Sequence, residues 1–112
     1  MTNQAMQMTK QSFIDCQPIL TALGDENRQN ILLALVNTPC QTGLRVGEIT
    51  SLVNLSRPAV SHHLKILREA GLIKKRQEGT MNFYAADIRT NFTKLQQLLT
   101  AVQQLQEAHD HD

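Results

Sequence analysis

Cationic side chains cluster in one segment of this chain. Residues 57–76 carry six cations and one anion, a net charge of +5, whereas the whole chain has a formal net charge of +1. The six cations are Arg57, Lys65, Arg68, Lys74, Lys75 and Arg76. Cations at this density can bind a phosphate backbone, although similar runs also form solvated faces. The segment is therefore a candidate polyanion-binding site that the surrounding pattern must support.

Two thiols and a terminal His and carboxylate cluster are the other reactive groups. Cys16 and Cys40 lack CxxC spacing, so we expect neither a disulfide framework nor a closed cysteine zinc site. Each cysteine is either a packing residue or a thiol that senses oxidants or electrophiles. At the C-terminal end, His109 and His111 stand among carboxylates, and we favour a disordered tail over a metal site there.

Motifs for catalysis do not occur in this sequence. There is no Gly-rich phosphate loop, no nucleophile elbow and no Cys or His with a base partner at recognisable spacing, so we expect no enzyme activity and no cofactor. A length of 112 residues, 41% hydrophobic and 19% charged, fits one globular domain. The longest apolar run is Ile31 to Val36, so we expect no membrane span, no secretory signal and a cytoplasmic location.

Apolar spacing and capping residues predict three helices in the first half of the chain. Residues 1–10 lack periodicity, and we expect them to form a mobile tail. A first helix follows from Ser12 and ends at Gly24. Asp25 caps a second helix that is apolar around most of its circumference and therefore central. A short third helix is expected over residues 46–53.

The second half of the chain predicts a capped helix, a hairpin and a final helix. Ser56 caps the fourth helix, which stops at Gly71. Two short strands follow, with Gly79 in their turn, and the last helix has apolar residues at three-four spacing. The predicted fold is mainly α with a small β-hairpin, a winged helix-turn-helix over residues 11–106. We expect residues 107–112 to form a mobile tail.

The predicted fourth helix has one polar and one apolar face. At 100° per residue, the polar and mainly basic arc holds Arg57, Pro58, Ser61, His62, Lys65, Arg68 and Glu69. The opposite arc is apolar except for His63, which we expect to be a packing residue. A helix in the major groove reads bases with its N-terminal residues, and an arginine there can donate two hydrogen bonds to guanine. The candidate base readers are Arg57, Pro58, Ser61 and His62.

The strand that follows the fourth helix supplies further cations. Lys74, Lys75 and Arg76 are candidate contacts to DNA phosphates. Successive side chains of a strand point to opposite faces, so not all three can face DNA.

The chain resembles the ArsR/SmtB family of bacterial winged-helix repressors in LGDENRQNILLALV, in LSRPAVSHHLKILREAGLIKKRQEG and in the FYAAD that follows. The resemblance covers residues 23–105. It implies a DNA-binding transcriptional repressor whose base-reading positions are the four named above. It also implies a two-fold dimer formed by the first and last helices, and hence double-stranded DNA with an inverted-repeat operator as partner.

The last helix carries an apolar stripe that fits such a homodimer, and the resemblance implies that the first helix joins it there. The stripe continues beyond the point where a winged-helix core should be filled, although packing within one chain is the alternative. The candidate dimerisation residues are Phe13, Ile19, Leu20, Phe92, Leu95, Leu99 and Val102.

The chain departs from the family pattern at the positions that usually bind metal. Arg45 and Gly47 stand where the resemblance places a cysteine pair, and the ligand positions of the last helix hold no zinc-binding set. We therefore expect no metal site, and the effector stays open between a thiol switch, an organic ligand and constitutive repression. The alternative function is a winged-helix module for protein interaction that does not read DNA, although such a module has no need of the basic arc.

Overall fold

The computed structural model describes residues 2–110, with side chains from residue 4 onward. This part of the chain forms five helices and one antiparallel hairpin, which confirms the predicted winged helix-turn-helix. The elements are α1 (Thr2–Leu23), α2 (Glu26–Val36), α3 (Val46–Val53), α4 (Arg57–Glu69), β1 (Ile73–Glu78), β2 (Met81–Ala86) and α5 (Arg89–Asp110).

The two terminal helices are longer than the sequence pattern predicts. Helix α1 is already formed at Thr2, so the predicted tail is helical over residues 2–10, and Met1 lies outside the described residues. Its first turns run antiparallel to the end of α5, and Thr9 is buried there. Helix α5 continues to Asp110, so the predicted tail over 107–112 is helical as far as the structure describes it, and His111 and Asp112 lie outside the described residues.

Helix α2 is the centre of the core, as its apolar composition predicts. Ile31 and Leu35 are fully buried, and Leu32 is nearly so. The Asp25 carboxylate caps the helix by accepting a hydrogen bond from the backbone N–H of Arg28 at 3.1 Å. This backbone hydrogen bond holds the pKa of Asp25 below its usual range.

The helix-turn-helix consists of α3 and α4. Ser56 Oγ accepts from the Ala59 N–H at 3.3 Å, and Pro58 suits the first turn because its missing N–H has no partner there in any case. The helix stops where Gly71 adopts φ +72°. Beyond it, Asn91 Nδ2 donates to the Gly71 carbonyl at 2.8 Å, which ties the start of α5 to the end of α4.

The wing is the hairpin of β1 and β2. Its register pairs Ile73 with Ala86 and Glu78 with Met81, leaving a two-residue connection that begins with Gly79. A bridge that the sequence did not indicate joins the wing to the loop before α3. Leu44 N–H donates to the Tyr84 carbonyl at 2.8 Å, and Tyr84 N–H donates back at 2.7 Å. The start of α3 is thereby held beside the wing.

Candidate nucleic-acid interface

Helix α4 presents the polar face that the sequence predicts. Its six candidate DNA-contacting side chains are all exposed: Arg57, Pro58, Ser61, His62, Lys65 and Arg68. On the opposite face Val60, Leu64 and Leu67 are fully or almost fully buried. Because the apolar face of α4 packs into the core, only its basic face is accessible to a partner.

Two cations of the wing extend this basic face. Lys74 and Lys75 are exposed and line a shallow concavity together with Lys65 and Arg68. Glu69 is the one acidic residue among the residues that line it. Four cations on one continuous surface produce a positive potential suited to phosphates.

Arg76 differs from the two lysines that precede it. Its Nε donates to Glu78 Oε1 at 3.0 Å, and its guanidinium carbon lies 4.9 Å from the centre of the Phe83 ring. The other guanidinium nitrogens reach the carbonyls of Cys40 and Thr42, each at 3.5 Å. Strand alternation places Arg76 and Lys74 on the same face of β1, beside Cys40 and Gln41 of the α2–α3 loop, and Lys75 on the other face. Arg76 is therefore engaged by groups of its own chain, and its contact with a phosphate stays a prediction.

An arginine of α2, Arg28, contacts both α1 and the inner side of α4. Arg28 Nε donates to the Ala22 carbonyl at 2.9 Å and Nη2 donates to the Thr21 carbonyl at 3.0 Å, both in the last turn of α1. Its Nη1 lies 3.3 Å from Nδ1 of His63 in α4. Arg28 therefore joins three helices, and sequence reasoning missed it. Arg28 precedes the buried Ile31 by three residues and Leu35 by seven, so helical spacing places it on the inner face of α2. That spacing was the available signal.

His63 is half-buried on the inner side of α4, as predicted, whereas its neighbour His62 is exposed. Burial lowers the pKa of His63, and the positive charges of Arg28 and His62 act in the same direction while Asp25 opposes them. Neutral His63 can accept the Arg28 hydrogen bond through Nδ1, whereas the protonated ring has no acceptor. The contact to α2 therefore depends on the neutral imidazole.

The terminal helices leave an apolar face exposed. Among the predicted dimerisation residues, Phe13, Leu99 and Val102 are exposed, and Leu20, Phe92 and Leu95 are half-buried against the core. Ile19 is 2% exposed and belongs to the core of its own chain, so its assignment to a dimer surface is wrong.

Helix α1 exposes further apolar side chains, and two of them lie in the segment that was predicted to be a tail. Met6, Met8 and Ile14 are each more than half exposed. Between the start of α1 and the end of α5 lies an open, largely apolar groove of about 690 Å³. Met6 and Met8 show no helical spacing in the sequence, so their place on an exposed helix face follows only from the extension of α1 along α5.

The two thiols have different surroundings. Cys16 lies on α1 and is buried in the hydrophobic core, whereas Cys40 is exposed in the α2–α3 loop. Cys40 Sγ lies 3.5 Å from the Ala86 carbonyl of β2. Of the two candidate thiol sensors, Cys40 alone is accessible in the folded chain.

The described residues were also inspected for metal-binding and membrane features. Over residues 2–110, no three His, Cys, Asp or Glu side chains are grouped so that they could hold a metal ion. No helix in this same range has the length and apolar character needed to cross a membrane.

Comparison with known proteins identifies the family. The family described as "Bacterial regulatory protein, arsR family" matches residues 25–75. An HTH-type transcriptional regulator of Methanocaldococcus jannaschii is 41% identical over 66 residues, which are 59% of this chain and 71% of that protein. The arsenical resistance operon repressor of Bacillus subtilis is 38% identical over 64 residues, 56% of this chain and 57% of the repressor.

Solved structures agree with the sequence matches. Reduced HlyU from Vibrio cholerae superposes with a TM-score of 0.67 at 30% identity, covering 82% of this chain and 93% of HlyU. HlyU is named a transcriptional activator. These matches agree with the wing and with the basic face of α4, which is the recognition helix of the helix-turn-helix. The chain belongs to the ArsR family and is a DNA-binding transcriptional regulator, not an enzyme.

Proposed function

We propose that this regulator is a repressor that binds an inverted-repeat operator as a homodimer. The observation that carries the proposal is the continuous basic surface formed by α4 and the first strand of the wing, backed by a filled core. Within it, Arg57, Pro58, Ser61 and His62 contact base edges, and Lys65, Arg68, Lys74 and Lys75 contact phosphates.

The dimer is formed through the exposed apolar face of α1 and α5. Met8 is 64% exposed, Ile14 is 58% exposed and Leu99 is 54% exposed, and all three stand on these helices. A second copy would remove this face from water and place two recognition helices on successive half-sites. Repression follows if the operator overlaps the promoter, since the bound dimer then excludes the polymerase.

DNA binding is tested by titrating duplexes from the protein's own upstream region and random duplexes over a range of salt concentrations. Arg57→Ala should cost about 1 to 3 kcal/mol at one base position and relax discrimination there. Lys75→Ala should weaken binding to all duplex sequences equally. It should also lower the slope of log affinity against log salt concentration by about one. Lys94→Ala removes an exposed cation from α5 and is the matched control.

The dimer is tested by sedimentation equilibrium. Leu99→Glu should yield monomers and lower operator affinity, whereas Leu33→Glu, at a leucine of α2 that is at least as exposed, should leave both the oligomeric state and the affinity unchanged. Equal affinity for operator and random duplex at every salt concentration would contradict operator recognition. A wild-type monomer at micromolar concentration would contradict the dimer, and an operator-fused reporter that is not repressed would contradict repression.

A further inference from the structure

Helix α4 is held in the domain by its apolar face and by a polar contact from the middle of the helix to α2. Val60, Leu64 and Leu67 are buried in the core. Burial of apolar surface is non-directional, whereas a hydrogen bond constrains both a distance and an angle. The contact between His63 and Arg28 therefore adds a directional constraint to the packing of α4.

Arg28 is a fixed donor for this contact. Its backbone N–H donates to the Asp25 carboxylate at 3.1 Å, and its side chain donates to the carbonyls of Ala22 and Thr21 at 2.9 and 3.0 Å. These hydrogen bonds hold the guanidinium in place relative to both α1 and α2. The remaining nitrogen, Nη1, lies 3.3 Å from His63 Nδ1. The position of α1 and α2 is thereby transmitted to α4.

His63 shares its turn of α4 with two of the candidate base readers. Ser61 and His62 directly precede it, and the rings of His62 and His63 are 5.6 Å apart. A rotation of α4 about its axis that displaces His63 turns these readers and Arg57 by the same angle. Hydrogen bonds to base edges tolerate little misalignment, whereas the attraction of cations to phosphates does not depend on sequence. Such a rotation would therefore impair sequence discrimination more than general affinity for DNA.

We propose that Arg28 and His63 are positioning residues for sequence recognition, and that their hydrogen bond sets the rotation of α4 until protonation of His63 releases it. The inference rests on the proposed function, since operator recognition by α4 is what the contact controls. Neutral His63 accepts the Arg28 N–H through Nδ1, whereas the imidazolium ring has no acceptor and is repelled by the guanidinium.

The surroundings of His63 keep its ring neutral near neutral pH. Helix α2 and its cap contribute Arg28 and Asp25, α4 contributes His62, and α1 contributes the two backbone carbonyls that engage Arg28. Burial lowers the pKa of His63, the charges of Arg28 and His62 lower it further, and Asp25 opposes them. The contact is therefore formed at pH 7.5 and is lost as the pH falls through the range below about 6.5.

The test measures the affinities for operator and random duplexes between pH 7.5 and pH 5 in wild type, His63→Asn and His63→Leu. Asparagine keeps a neutral acceptor near the place of Nδ1, and leucine removes the acceptor. At pH 7.5, His63→Leu should lower the operator-to-random affinity ratio at least about fivefold, the lower end of what one bidentate base contact contributes. Its affinity for random duplex should stay within about twofold of wild type, because phosphate contacts do not read sequence. His63→Asn should keep at least about half of the wild-type ratio, since it retains an acceptor.

The pH profile tests the protonation step. Between pH 7.5 and pH 5, the ratio should fall at least about twofold more in wild type than in His63→Asn, because protonation of half the molecules halves the competent population. Both proteins contain His62, so its own titration cancels in this comparison. Gln29→Ala is the matched control, since Gln29 Nε2 donates to the Leu23 carbonyl at 2.8 Å and this hydrogen bond does not involve α4. It should keep the wild-type ratio at every pH.

The outcomes distinguish positioning from a purely structural role. A structural role would lower the folded fraction and weaken both duplexes equally, so an unchanged ratio in His63→Leu would overturn the positioning role. Identical pH profiles in wild type and His63→Asn would overturn control by protonation, and this comparison still decides if His63→Leu does not fold. If wild type shows no preference for operator over random duplex at pH 7.5, the proposed function fails first.

Discussion

Replacement of Arg28 by alanine should destabilise the domain more than its partly exposed position suggests. The guanidinium joins the last turn of α1 to α4 through three contacts, at 2.9 Å to Ala22, 3.0 Å to Thr21 and 3.3 Å to His63. Ala22 is fully buried, and the Arg28 Nε–H is the side-chain donor to its carbonyl. The substitution leaves that carbonyl without this donor.

The magnitude follows from these contacts. Hydrogen bonds from a charged donor contribute about 1.5 to 3 kcal/mol each, and a buried carbonyl without a partner costs about 1 to 3 kcal/mol. The Thr21 carbonyl keeps a second donor, the Gly24 N–H at 3.3 Å. Loss of the Arg28 hydrogen bond to Thr21 should therefore change the free energy of unfolding little. We expect the free energy of unfolding to fall by about 2 to 4 kcal/mol. With a slope of about 2 kcal/mol per molar urea, the midpoint falls by about 1 to 2 M.

Urea unfolding followed by circular dichroism at one fixed chain concentration measures this change, because a dimer's stability depends on concentration. Gln29→Ala is the matched control, since Gln29 Nε2 donates to the Leu23 carbonyl at 2.8 Å from an exposed position, and its removal should cost less than about 1 kcal/mol. Arg28→Lys keeps the positive charge but lacks the planar guanidinium that donates to several acceptors at once. It should therefore recover less than half of the stability lost in Arg28→Ala. A free energy of unfolding for Arg28→Ala within about 0.5 kcal/mol of wild type would refute the reasoning.

Three further outcomes are expected. Gly71→Ala should lower the free energy of unfolding by more than Gly79→Ala, because both sites have positive φ but only at Gly71 would the new Cβ collide with Asn91; equal losses in urea melts would contradict this. The depressed pKa of His63 means that the unfolded chain takes up its proton first, so stability should rise with pH and be lost as pH falls below about 6.5; His63→Gln should remove that part of the pH dependence between pH 7.5 and 5.5, and an unchanged profile would argue against it. Iodoacetamide should label Cys40 rapidly and Cys16 only on unfolding, as read by intact mass, and equal native rates would contradict the assigned burial.

The local elements of the winged helix could be predicted because each is encoded by neighbouring residues. Ser56 caps α4, Gly71 ends it, and the 100° spacing separates Arg57 and Lys65 from the apolar positions that form the core. These are short-range rules of backbone and side-chain geometry. They were sufficient for the fold class and for the exposed face of the recognition helix.

Tertiary structure decided what depends on contacts between distant segments. The first turns of α1 have no helical period and form against α5, so the exposed Met6 and Met8 could not be assigned from spacing. The stripe that holds Ile19 and Phe13 is continuous in sequence, yet the core takes Ile19 and leaves Phe13 outside.

The cations of the interface follow the same division. Their types and clustering were determined by the sequence alone, as was the positive charge of the recognition segment. Which cations are free was decided by partners far along the chain, because Phe83 and the loop carbonyls engage Arg76, and the Leu44–Tyr84 bridge places Arg45 beside the wing. A charge is a local property of one residue, whereas its availability depends on every segment that the fold brings near it.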